Sequence, residues 1–221
     1  MKQELSLTHN YRPSNIAAGK APVIIMLHGY GSDENDLFSF ASELPSEYAI
    51  VSLKAPIAMQ PFGNAWYNIY FDATNGKFSD DEQAIASRDL IAKVIDEVID
   101  TYPVDPDRVT LLGFSQGTIL SLAVALSYPE KVKNIIGLSG YINEGILKDG
   151  YGEKDFKGLH VYSSHGSVDQ VIPVDWARKT QPFLKELGID SHYSEFPVGH
   201  GVAPQNFHEF KEWLIKLDGR G

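Results

Sequence analysis

The tightest constraint on this chain is the pentapeptide Gly113-Phe114-Ser115-Gln116-Gly117, set between an apolar run at 109–112 and a segment of small and apolar residues at 118–127. It matches G-x-S-x-G, and its setting reads as a buried strand turning sharply into a buried helix. A Cβ at either glycine is expected to clash with a neighbouring element, while the serine takes a strained backbone conformation that lifts its hydroxyl out of the sheet. The rest of the chain must therefore supply a sheet on one side of this turn and helical cover on the other.

It supplies both. Short apolar runs recur at 23–27, 49–53, 135–138, 159–163 and 191–196, with turn signals and helically spaced segments between them. That alternation predicts parallel strands joined by crossover helices. The first run leads into His28-Gly29-Tyr30-Gly31 and then a predicted helix at 33–44. The run at 191–196 alternates more than the others and so belongs near an edge. Residues 4–11 also alternate, with Leu5, Leu7 and Tyr11 on one side, and predict an antiparallel edge strand. The longest helix opens with capping-box spacing at Ser79 and Glu82, carries a stripe from Ile91 to Tyr102, and ends at Pro103. Two further amphipathic helices are expected, at 175–187 before Gly188 and at the C-terminal end, where Phe207, Phe210, Trp213, Leu214 and Leu217 share a face. The stretches 55–78 and 140–158 read as long loops, which in compact domains tend to be functional. At about 150 residues per domain, 221 residues predict one α/β domain spanning 1–221.

Composition narrows the chemistry. The chain has no cysteine, which removes disulfides, thiolate metal sites and a cysteine nucleophile. With 19 basic and 29 acidic side chains the net charge is −10, a poor match for nucleic acid or anionic lipid. No apolar run approaches the roughly 18 residues of a membrane span, and the first twenty residues lack a basic segment followed by an apolar one. The expectation is a cytoplasmic monomer or homodimer with no nucleic-acid partner and no stable membrane association.

A serine hydroxyl is a weak nucleophile and needs a base, and the base needs a group that fixes its tautomer. After a G-x-S-x-G turn the expected order is serine, acid, histidine, the last two on loops after later strands. Of His192, His200 and His208, only His200 sits in a glycine-flanked loop just past the last strand, in Pro197-Val198-Gly199-His200-Gly201. Asp169, after the run at 159–163, falls at the same edge of the sheet and is the candidate acid. Backbone N–H groups of Gln116 and Tyr30 are the candidate oxyanion donors. His28 and His165 each precede a glycine after a strand and are read as loop braces. Residues 61–71 hold five aromatics. They either wall an apolar pocket, with Trp66 and Tyr67 as substrate contacts, or pack as a satellite core.

LHGYGSDENDL at 27–37, LLGFSQGTILSLAVAL at 111–126, HGSVDQVIP at 165–173 and GHGV at 199–202 resemble the phospholipase/carboxylesterase family of α/β-hydrolases, which includes the acyl-protein thioesterases. The resemblance implies an α/β-hydrolase fold: a mostly parallel central sheet, helices on both faces, and no separate cap domain. It also implies a serine hydrolase without metal or organic cofactor, with Ser115, Asp169 and His200 as triad and Tyr30 and Gln116 as oxyanion positions. Where acyl-protein thioesterases commonly read HGLGDTG, this chain reads HGYGSDE. The expected activity is hydrolysis of short-to-medium chain carboxylic esters through an acyl-enzyme. The alternatives are lysophospholipase or acyl-protein thioesterase activity and, from another class, a non-catalytic binding protein on the same fold.

Overall fold

The structure, a computed structural model, describes residues 5–72 and 76–219. Along the chain lie strands β1 (His9–Arg12), β2 (Ala21–Leu27), β3 (Ala49–Leu53), β4 (Ile57–Ala58), β5 (Asn64–Ala65), β6 (Ile69–Asp72) and β7 (Gly76–Ser79), then helix α1 (Asp81–Thr101). Strand β8 (Val104–Phe114) and helix α2 (Gln116–Ser127) follow, then β9 (Asn134–Leu138) and β10 (His160–Gly166). The short helices α3 (Val174–Ala177) and α4 (Thr180–Glu186), strand β11 (Asp190–Phe196) and helix α5 (Pro204–Asp218) complete the order. One sheet runs β1-β3-β2-β8-β9-β10-β11, parallel throughout except that β1 lies antiparallel on β3.

Strand β2 shows why the central runs are continuously apolar. Val23, Ile25 and Leu27 face a cluster shared with α1 and α2, while Ile24 and Met26 face the opposite cluster, which holds Phe210 and Leu214 of α5. A strand covered on both faces has no solvent side to mark with polar residues. Helices thus cover both faces of the sheet, and among the described residues no cap domain stands over it. Among the described residues no helix is long and apolar enough to cross a membrane.

Several local expectations are corrected. The predicted helix at 33–44 is only a 3-10 turn at Leu37–Phe40. The Asp33 carboxylate accepts the Asn35 N–H at 2.8 Å, and Ser32 pairs with Asn64, so the start of the segment is held in a turn that competes with a helix. The edge strand is shorter than 4–11 and begins at His9, with Leu5 and Leu7 packed into the core and Glu4 outside the described residues. Helix α1 is capped by Asp80, whose carboxylate accepts the Gln83 N–H at 3.0 Å, and Ser79 ends strand β7 instead. Strand β8 starts at Val104, five residues before the apolar run. The predicted helix at 175–187 breaks into α3 and α4, because Pro182 offers no N–H and is tolerated only in the first turn of a new helix. The predicted loop 55–78 contains two small antiparallel pairs, β4 with β5 and β6 with β7; residues 73–75 lie outside the described residues.

Helix α2 is buried along its whole length and leans directly on β2. A Cβ at Gly117 would stand 1.9 Å from the Leu27 carbonyl oxygen, and one at Gly113 would stand 2.5 Å from Gly117 backbone atoms. Both obstacles are backbone and cannot swing away. Gly117→Ala is therefore expected to cost about 3 kcal/mol or more, while Gly152→Ala, with nothing within 4 Å of its added Cβ, stays close to the parent. Denaturant melts of the two variants check this, and equal midpoints would refute the close-approach argument.

Candidate active site

Ser115 follows the last residue of β8 with φ 53° and ψ −115°, one of only two positive-φ residues other than glycine among those described. Its N–H is tied to the Leu138 carbonyl at 2.8 Å, and its carbonyl accepts from Thr118 and Ile119 in the first turn of α2. The strain is held by neighbours on both sides, and it presents the hydroxyl at the carboxyl edge of the sheet.

The loops after β10 and β11 meet at that same edge. A Cβ on Gly166 would lie 2.1 Å from the Gly199 carbonyl oxygen, so the two loops touch through backbone. Ser167 N–H donates to the Phe196 carbonyl at 2.7 Å and Val168 N–H to Val198 at 3.3 Å. This seam brings together the three residues expected from the sequence. His200 Nδ1 lies 2.7 Å from Asp169 Oδ2, and His200 Nε2 lies 2.9 Å from Ser115 Oγ. The second carboxylate oxygen of Asp169 accepts the N–H groups of Val171 at 2.7 Å and Ile172 at 3.0 Å.

The two expected oxyanion positions are held from behind. Gly31 N–H donates to the Asn64 carbonyl and Asn64 N–H to the Ser32 carbonyl, both at 2.8 Å, pinning the turn after β2 against β5. Among the described residues neither the Tyr30 N–H nor the Gln116 N–H has a hydrogen-bond acceptor. The Gln116 side chain has work that sequence reasoning missed. Its Oε1 accepts the Trp66 N–H and its Nε2 donates to the Tyr67 carbonyl, each at 2.8 Å, fastening the 64–67 strand end to the start of α2. No local pattern signals a bond across some fifty residues.

The histidines read as braces do brace. His28 Nε2 accepts the Ala55 N–H at 3.0 Å, so its proton sits on Nδ1 and is donated to the Gly29 carbonyl at 2.7 Å. Burial, the dominant influence, lowers its pKa and keeps it neutral. His165 donates from Nε2 to the Ile172 carbonyl at 2.9 Å and stands 3.3 Å from Asp169. Of the other two histidines weighed as base, His192 contacts Ser194 and Glu209, and His208 pairs with Glu212.

A cavity of about 520 Å³ opens beside Ser115 and His200, walled by Tyr30, Tyr67, Ile119, Tyr141, Ile172 and Trp176 among others. Tyr67 stands on this wall, but Trp66 does not. Trp66 is fully buried, its indole N–H donating to the His28 carbonyl at 2.9 Å and its own carbonyl held by Ser87. The wall reading thus fails for Trp66, whose polar atoms are taken up inside the core by the His28 carbonyl and the Gln116 and Ser87 side chains. Of the five aromatics in 61–71, the Phe71 side chain lies outside the described residues, and Phe62 is 80% exposed. Among the described residues no group of three or more metal-ligating side chains forms.

The family model described as Phospholipase/Carboxylesterase matches residues 15–217. The chain belongs to this phospholipase/carboxylesterase family. It is a carboxylic ester hydrolase with the α/β-hydrolase fold. A relative from Kluyveromyces lactis, acyl-protein thioesterase 1, is 30% identical over 210 residues, covering 88% of this chain and 90% of its own. A probable carboxylesterase from Oryza sativa subsp. japonica is 24% identical over 213 residues, covering 90% and 78%. Among solved structures, esterase PE8 superposes with a TM-score of 0.82 at 26% identity, covering 95% of this chain and 98% of that one. The Bacillus cereus carboxylesterase shares the fold with a TM-score of 0.81 at 18% identity, covering 96% and 94%.

In this family member the electrostatics of Asp169 have a consequence for stability. Burial alone would push its carboxyl up, but hydrogen bonds from His200, Ile172 and Val171 outweigh that and hold it below the ordinary aspartate range. A depressed folded-state pKa contributes stability that is fully present above the unfolded value of about 3.9 and is lost as pH falls through the folded value. Below about pH 4 the parent should therefore lose stability more steeply than Asp169→Asn. Chemical denaturation across that window measures the two slopes, and parallel curves would contradict the assignment.

Proposed function

We propose that this hydrolase is a serine carboxylesterase for short-to-medium chain esters, working through an acyl-enzyme. The observation that carries the reading is the unbroken contact chain from Asp169 through His200 to Ser115, ending at a cavity beside two backbone N–H groups, of Tyr30 and Gln116, that have no acceptor among the described residues. Ser115 Oγ attacks the acyl carbon as His200 Nε2 takes its proton. The Tyr30 and Gln116 N–H groups hold the oxygen that gains negative charge, and the alcohol departs with the proton from His200. Water, deprotonated by His200, then releases the acid and restores Ser115. Asp169 accepts the Nδ1 proton's hydrogen bond throughout, and its two further N–H donors keep that carboxylate aimed.

The geometry favours this division of roles for a physical reason. With Asp169 bound to Nδ1, the proton of neutral His200 sits there, and Nε2 faces Ser115 as an acceptor. The 520 Å³ cavity supports short and medium acyl groups.

One observation favours a second reading. Relatives named acyl-protein thioesterase 1 align over most of the chain, so thioesters are the second substrate class. Oxygen and sulfur esters of one acyl group separate the two: a strong thioester preference would move the reading to that class.

Ser115→Ala is expected to lower p-nitrophenyl butyrate hydrolysis by about 10⁴-fold or more and to abolish labelling by a fluorophosphonate probe. Hydrolysis retained in that variant would end the proposal.

A further inference from the structure

A second cavity, of about 360 Å³, lies next to the one that holds Ser115. Tyr141 and Trp176 line both. Their rings meet edge to face with centroids 5.1 Å apart, so this aromatic pair is the shared wall of two chambers. Ile142, Thr180 and Phe183 form much of the far chamber, and the Thr180 hydroxyl, on a side chain only 2% exposed, has no partner among the described residues.

The two rings are held differently. Tyr141 follows β9 and packs against the main core cluster. Trp176 belongs to the four-residue helix α3 and is 46% exposed. Arg178 anchors the end of that helix through ion pairs to Asp175 at 2.9 Å and Glu195 at 2.7 Å, which fixes the backbone and leaves the indole uncovered. A large apolar ring with an exposed face loses few contacts when it turns outward, whereas Tyr141 would have to leave the core.

We propose that Trp176 is the movable half of a partition across one acyl channel, and that the far chamber receives the distal methylenes of acyl chains too long for the first. This rests on the acyl-enzyme reading above. The acyl half of the substrate is assigned because it alone stays bonded to Ser115 through both steps, so a fixed chamber acts on it in acylation and deacylation alike. Tyr141, Ile142, Trp176 and Phe183 present carbon to an alkyl chain, and Glu144 and Lys179 complete the lining of the far chamber.

The test compares kcat/KM for p-nitrophenyl butyrate and p-nitrophenyl laurate in the parent, in Trp176→Ala and in Trp176→Ala/Ile142→Trp. Removing the indole should raise the laurate-to-butyrate ratio by about tenfold or more, since each methylene newly accepted by an apolar pocket discriminates by about that factor. Refilling the far chamber with the indole of Ile142→Trp should return the ratio to near the parent value. Trp176→Leu carries the same readout if the alanine variant does not fold. A ratio that fails to rise in a variant still hydrolysing butyrate overturns the partition, and a gain that survives Ile142→Trp overturns the far chamber as its destination. A gain seen with acetyl esters of long alcohols instead overturns the acyl assignment. An inactive parent that no fluorophosphonate labels would overturn the acyl-enzyme reading itself, a result distinct from all of these.

Discussion

The Leu27 carbonyl oxygen occupies the place where a side chain on residue 117 would have to be. Backbone against backbone at this point fixes helix α2 on strand β2 more closely than any side-chain packing allows. Because α2 begins at Gln116 and β2 ends at Leu27, the same contact sets the distance between the start of the helix and the turn carrying Tyr30. Two N–H groups from distant parts of the sequence are thereby held in one register. The strained φ of Ser115 follows from this constraint, since a strand and helix so close can be joined only through a turn that ordinary backbone geometry does not provide.

A second backbone contact does for Asp169 and His200 what the first does for Ser115. Gly166 and Gly199 touch where the loops after β10 and β11 pass, and Ser167 and Val168 stitch the seam with hydrogen bonds to Phe196 and Val198. Asp169 and His200 are three and one residues beyond these contacts, so little freedom remains between them. The site is thus built on two glycine-mediated close approaches at neighbouring positions along one sheet edge. The parallel order β8-β9-β10-β11 places their strands side by side, with all carboxyl ends pointing one way.

What was legible in the sequence follows the same division. The strands covered on both faces announced themselves as unbroken apolar runs, and the turn at Ser115 and the loops of Asp169 and His200 could be placed from glycines at fixed offsets from those strands. Signals set by the local chain alone were weaker. The segment at 33–44 has helical spacing, yet an aspartate turn at its start and the pairing of Ser32 with Asn64 override that spacing. Asp80 took the cap from Ser79 because Ser79 is committed to a strand pairing with Ile69, a non-local fact. The aromatic loop was the hardest to read: Trp66 and Tyr67 are adjacent and both belong to the main core cluster, yet only Tyr67 also reaches the cavity wall. Only the partners of Trp66, the His28 carbonyl and the Gln116 side chain, decide which is which.

These contrasts divide the molecule into a part that tolerates almost no change and a part that tolerates a good deal. Ser115, Asp169 and His200 hang on backbone contacts, where even a methyl group is excluded. The groups that would meet the rest of a substrate are side chains on short or irregular elements: Tyr30 after β2, Tyr67 between two small hairpins, Tyr141 after β9 and Trp176 on a single-turn helix. Exchanging one of these alters the shape of the cavity without moving the seams at Gly117 or Gly166, because none of them contributes an atom to either close approach. Specificity in such a design can vary through wall residues while the alignment of Ser115, His200 and Asp169 stays fixed. The fold itself is shared at a TM-score of 0.81 with a carboxylesterase 18% identical in sequence. The architecture needs its sheet edge and its glycines, and leaves the pocket free to differ.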